Sequence, residues 1–85
     1  MTLKDLVSKY IQNTEKVFPE IEVIQGPMII KKEKVGVIIE SARRYLEDAK
    51  YYREKKKLET SLASIAYCEG LLDALRLLGL VEFSW

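Results

Sequence analysis

Apolar residues along this chain recur at helical spacing in three separate runs. In the first, Leu3, Leu6, Val7, Tyr10, Ile11, Thr14, Val17 and Phe18 follow one another at steps of three and four. Lys4, Lys9, Gln12, Asn13 and Lys16 take the other side, which predicts a helix over 3–17. Thr2 and Asp5 have the spacing of a capping box, hydroxyl to backbone in one direction and carboxylate to backbone in the other. Pro19 ends the run, because proline disfavours helical geometry in the residue before it.

The second run predicts a helix over 32–54. Val35, Ile38, Ala42, Tyr45, Ala49 and Tyr52 form a heptad seam, widened by Ile39 and Leu46. Glu33, Glu40, Glu47 and Glu54 repeat every seventh residue on the opposite side, with Arg43, Arg44 and Lys50 three or four residues after an acid. That stripe reads as a solvated, ion-paired surface.

The third run predicts a helix over 58–78 that is apolar around most of its circumference. Ile65, Cys68, Leu71, Leu72, Leu75 and Leu78 cover a broad side, and Ala63, Tyr67, Gly70 and Ala74 extend it. Glu59, Glu69, Asp73 and Arg76 occupy the remaining wedge. A helix this apolar is expected to be covered by at least two neighbours. Gly70, among alanines, is expected to admit another backbone closely, so that leucine there would overpack. Gly79 with Leu80 behind it has the form of a Schellman stop. No glycine or proline separates the last two runs. An unbroken helix from Lys32 to Leu78 would reach about 70 Å at 1.5 Å per residue, too long for so short a chain, so a tight turn is expected near Lys55 to Lys57.

Two stretches lie outside these runs. Between the first two, Glu20 to Val23 alternates polar and apolar, Gly26-Pro27 signals a turn, and Met28, Ile29 and Ile30 form an apolar trio. This reads as an apolar crossover lying against the helices. The tail from Val81 to Trp85 also alternates, and is expected to pack on the bundle or on a partner. The fold class expected is all-α: an up-and-down three-helix bundle with an apolar crossover between helices 1 and 2, in one domain spanning 1–85.

Composition narrows the chemistry. Fourteen basic and thirteen acidic residues leave a net charge of +1, so no global field selects nucleic acid or an anionic membrane. Histidine is absent, which removes imidazole bases and histidine-containing zinc sites. The lone Cys68 sits on the apolar arc and reads as a small core side chain. The first residues lack the apolar run of a signal peptide, and no segment approaches the roughly 20 apolar residues that span a bilayer. A cytoplasmic protein without a membrane partner is expected.

Three residues form the candidate ligand or polar cluster: Tyr45, Glu69 and Asp73. The two acids, four apart, share a helix face, and a tyrosine hydroxyl from the neighbouring helix is placed to reach them. Two carboxylates at that spacing can hold a divalent cation or divide acid and base roles. They can equally mark a solvent edge, with Arg76 pairing to Asp73 and Glu69 turned inward to a tyrosine hydroxyl. The second reading carries no metal, no cofactor and no catalytic residue. Tyr51, off the seam, is the ring free to stack. Arg53 and Lys55 to Lys57 form a basic turn without interleaved aromatics or a glycine-rich loop, so nucleic acid is not favoured.

The runs Ala42-Arg-Arg-Tyr-Leu-Glu-Asp-Ala49, Tyr51-Tyr-Arg-Glu-Lys55 and Ser64-Ile-Ala-Tyr-Cys-Glu-Gly-Leu-Leu-Asp-Ala-Leu-Arg-Leu-Leu-Gly79 resemble a small, mainly archaeal family known as domain of unknown function 357. The likeness is close over the carboxy-terminal half, and Tyr67 to Ala74 is its most specific part. The resemblance implies a three-helix bundle and no known activity, substrate or cofactor. It also implies an accessory place near nucleotide enzymes. Relatives have Gly-Asp at the turn where Lys56-Lys57 stand here, so the third helix is expected to lack its aspartate cap. The function expected is that of a noncatalytic helical interaction or scaffolding module, presenting the crossover and tail to a protein partner or to itself. The alternative is a small-ligand or metal-binding accessory domain using Glu69 and Asp73.

Overall fold

A computed structural model describes residues 1–24 and 30–85. Three helices pack together: α1 (Leu3–Glu15), α2 (Lys32–Glu54) and α3 (Leu58–Leu77). α2 and α3 form an antiparallel pair that shares the largest contact, and α1 lies against both. The longest dimension of 43 Å agrees with a broken rather than a continuous α2–α3 rod. Two short strands, β1 (Glu22–Val23) and β2 (Val81–Glu82), pair antiparallel and tie the start of the crossover to the tail.

The capping box of α1 is present. Asp5 N donates to Thr2 Oγ1 at 3.1 Å, and Thr2 N donates to the Asp5 carboxylate at 3.3 Å. The helix stops two residues earlier than its apolar period, at Glu15, and a 3-10 turn follows over Phe18–Glu20. Val17 and Phe18 nevertheless stay buried. Leu3 and Tyr10, on the expected inner side, are each more than a third exposed.

The core runs along the α1-facing side of the α2–α3 pair. Val7, Ile11 and Val17 meet Ala42, Leu46, Ala49, Ile65, Cys68 and Leu72. A second cluster, Val35, Leu75, Leu80 and Val81, seals the end near the strands. The true centre of α2 is therefore Ala42, Leu46 and Ala49. Ile38 and Tyr45, expected in the core, are only half-buried at its margin. Ser61 is fully buried and donates to the Ala49 carbonyl at 2.6 Å, which locks the relative height of the two helices.

Both long helices end in the same way. Leu80 N donates to Leu75 O and Gly79 N to Arg76 O, each at 2.9 Å, with Gly79 at φ 75°. These are the two bonds of a Schellman stop, as the sequence predicts. At the α2–α3 turn, Lys57 N donates to Tyr52 O at 2.9 Å and Lys56 N to Arg53 O at 3.0 Å. There the left-handed position belongs to Lys56, at φ 61°. Lys57, which begins α3, makes no side-chain cap.

Two expectations about α3 are corrected, the first in part. α1 and α2 both cover α3, as expected, but they do not bury its whole apolar arc: Tyr67 and Leu77 are 65% and 81% exposed, and Ala63, Ala66, Gly70 and Ala74 face outward. The side opposite Ile65, Cys68 and Leu72 has no neighbour among the described residues. A Cβ added at Gly70 would meet nothing within 4 Å, so no neighbouring backbone among the described residues approaches it. The tail is committed to the bundle, with Leu80 and Val81 buried and β2 paired to β1. The crossover's Gly26-Pro27 and the Met28 and Ile29 of its apolar trio lie outside the described residues, while Ile30 is 38% exposed.

Candidate functional site

The pattern of α3 generates an uncovered face by geometry alone. Ser61, Ile65, Cys68, Leu72 and Leu75 recur every three or four residues and turn toward the core. Residues half a turn away must then point outward, and these are Ala63, Ala66, Tyr67, Gly70, Ala74 and Leu77. None carries a charge. On α2 the adjoining side chains are Ser41, Arg44, Tyr45 and Asp48. Together they enclose a shallow groove between α2 and α3, lined by Ser41, Tyr45, Ala63, Ala66, Tyr67, Gly70 and Leu71. Tyr45 and Tyr67 stack across it, ring centroids 5.3 Å apart and planes inclined by 21°. Ser41, Arg44, Tyr45 and Asp48 continue the groove along α2.

The charged wedge of α3 lies elsewhere. Glu69 faces α1 and accepts a hydrogen bond from Thr14 Oγ1 at 3.1 Å. The partner is a threonine, not the tyrosine hydroxyl that the sequence suggests, because α1 rather than the tyrosine-bearing edge of α2 covers that side. Asp73 accepts from Arg76 at 3.1 Å and from Trp85 Nε1 at 2.8 Å. The Arg76 contact is the one expected from spacing. The indole contact comes from the tail folding back, with Phe83 edge-on to Trp85 at 5.0 Å and Arg76 over the Phe83 ring.

Tyr45 is thus on the open face, and Glu69 and Asp73 are on the faces turned to α1 and the tail. Neither acid lines the groove beside Tyr45. Among the described residues no group of three or more cysteine, aspartate or glutamate side chains is arranged to hold a metal ion. Cys68 is buried in the core, where desolvation and then the neighbouring Glu69 charge push its thiol up to about 12. A thiol held protonated at neutral pH is a packing group rather than a nucleophile. At the basic turn, Lys55 sits 5.5 Å from the centre of the exposed Tyr51 ring, which is itself edge-on to Tyr52. No described helix is long and apolar enough to cross a membrane.

The residues that sequence reasoning placed inside and the structure places outside are the ones that build the groove. Their signal was visible: an apolar circumference on α3 exceeds what two neighbouring helices can cover. Read as burial within the chain, it pointed to the core instead of the surface.

The sequence profile of a family described as protein of unknown function (DUF357) matches residues 9–81, most of the chain, and the chain belongs to that family. No curated protein and no solved structure matches it.

Proposed function

We propose that this DUF357 chain is a noncatalytic helical interaction module whose working surface is the open α2–α3 face. The observation that carries the reading is an uncharged helical side, Ala63 to Leu77, that no described element covers. Exposed apolar surface of that extent is costly in water, at about 25 cal/mol per Å² when it is later buried, and marks a docking site more often than a neutral surface. Alanine and glycine along the groove let a partner helix approach closely, while the stacked Tyr45 and Tyr67 rings supply a large, rigid contact. The face takes the place of the tail as the surface on offer, since the tail is already used within the chain.

Small-ligand or metal chemistry through Glu69 and Asp73 receives less support. Each carboxylate already has a hydrogen-bond donor inside the chain, and Tyr45 does not join them. The test is a photoreactive phenylalanine derivative at Tyr67, with Lys9 on the outer side of α1 as the control. Irradiation in the host cell should give one discrete adduct from position 67 and none from position 9. Equal labelling from both, or none from either, would refute an interaction role for this face.

A further inference from the structure

We infer that the occupant of this face is a second copy of the chain, docked antiparallel about a two-fold axis at the level of Leu46 and Ala66. This rests on the interaction reading above. The levels follow from two contacts within the hairpin: Ser61 bonds to Ala49, and Tyr45 stacks on Tyr67. Each step toward the turn on α2 is matched by one toward it on α3, so Leu46 lies across from Ala66.

Arg44 and Asp48 stand two residues to either side of Leu46, about 3 Å each way along the helix. An axis in the plane of the face, perpendicular to the helices at that level, places Arg44 of one copy beside Asp48 of the other, and repeats the pair. On the same helix, Glu40 with Arg43 and Glu47 with Lys50 form ion pairs within the chain. Arg44 and Asp48 form none among the described residues, and the Arg44 guanidinium donates only to Ser41 Oγ at 3.2 Å. The charges bordering the groove are therefore complementary to themselves under this rotation. An axis running along the helices would set them against uncharged α3 side chains.

The same axis brings Ala66 onto Ala66, with Ala63 and Gly70 at near-equal heights above and below. A contact built from methyl groups and a glycine lets the two α3 helices meet closely, and the space over Gly70 is open. Thr60 to Leu78 spans about 27 Å, and two helices side by side present about 20 Å. That is about 500 Å² per copy and about 1,000 Å² per pair, the lower limit for a specific interface, so the dimer should dissociate on dilution.

Sedimentation of the full chain from about 1 μM to about 1 mM should show a reversible monomer–dimer equilibrium. Arg44→Asp, which sets two like-charged pairs across the axis, should weaken it about tenfold or more, and Arg44→Asp with Asp48→Arg should restore it. Circular dichroism melts serve as the folding control, since both residues are exposed. Orientation is read by oxidation: Ala66→Cys should form a disulfide dimer faster than Leu77→Cys. Leu77 is the more exposed side chain, but its copies would lie about 33 Å apart across the axis. A monomer throughout, no effect of Arg44→Asp, or faster oxidation at position 77 would overturn the proposal. If the chain is monomeric and the probe at Tyr67 captures a different protein, the second copy is refuted while the interaction reading stands. If it is monomeric and no adduct forms, both fall.

Discussion

Replacing Lys56 with glycine should stabilise the protein, and the chain carries its own comparison for the effect. α2 and α3 end in the same pair of backbone hydrogen bonds, with a left-handed residue at the same position. At the end of α3 that residue is Gly79, φ 75°; at the end of α2 it is Lys56, φ 61°. A side chain bearing a Cβ in that conformation costs about 1–2 kcal/mol, because Cβ crowds the following carbonyl oxygen. Glycine removes that crowding but gives back about 0.5–1 kcal/mol through the extra freedom of the unfolded chain. The balance favours Lys56→Gly by about 0.5–1 kcal/mol. For a domain of this size that raises the melting temperature by about 2–8 °C.

Charge is the rival explanation, since Lys56 lies among Arg53, Lys55 and Lys57, and losing any one of them relieves repulsion. Lys56→Ala separates the two causes by dropping the charge and keeping the Cβ. Thermal and urea unfolding followed by circular dichroism should place alanine near the native chain and glycine above it, with an unchanged urea slope. If alanine stabilises as much as glycine, the gain is electrostatic and the backbone argument is refuted. Lys57→Asp tests the adjoining defect. It supplies the missing cap of α3, an effect of about 1 kcal/mol at well-formed caps. At Lys57 the gain should be smaller, because its ψ of 73° is far from the 165° at the capped Thr2.

Three further outcomes are expected. Leu72→Ala should lose about 2–5 kcal/mol in urea unfolding, since Leu72 is fully buried; a loss below about half a kcal/mol would show that this side of α3 is not core. Gly70→Ala should raise the stability of the monomer by about 0.5–1 kcal/mol, because the added methyl meets nothing and alanine is the better helix former; destabilisation would mean that the groove is filled. Stability should fall as pH rises from about 9, where the unfolded thiol ionises, toward about 12, where the buried Cys68 does. Lys50 acts in the same sense, because its hydrogen bond to Glu15 raises its pKa and the folded state holds its proton longer. Cys68→Ala should flatten the fall in melting temperature over that range, and an unaltered profile would exclude the thiol as its cause.

Features that depend on neighbours within a turn or two were legible in the sequence. The capping box at Thr2 and Asp5, the Schellman stop at Gly79 and the pairing of Asp73 with Arg76 involve residues three to five apart, and the structure has all of them. Features that join distant segments were not. β1 and β2 are two residues each, and their alternation is too short to name a partner on the far side of two helices. Glu69 and Asp73 share a helix as their spacing requires. Which donor reaches Glu69 was decided by where α1 lies, and α1 brought Thr14.

The misplacement of Tyr67, Gly70 and Ala74 is of another kind. Periodicity records that a helix surface avoids water without recording whose atoms exclude the water. A residue covered by α1 and a residue covered by another molecule leave the same apolar letter in the sequence. α3 has apolar residues on nearly every side, yet among the described residues α1, α2 and the tail cover only part of them. The remainder is exposed among the described residues. Where apolar periodicity asks for more cover than the described elements supply, the shortfall marks a candidate surface for the proposed docking, here the side of α3 bordered by Tyr45, Arg44 and Asp48.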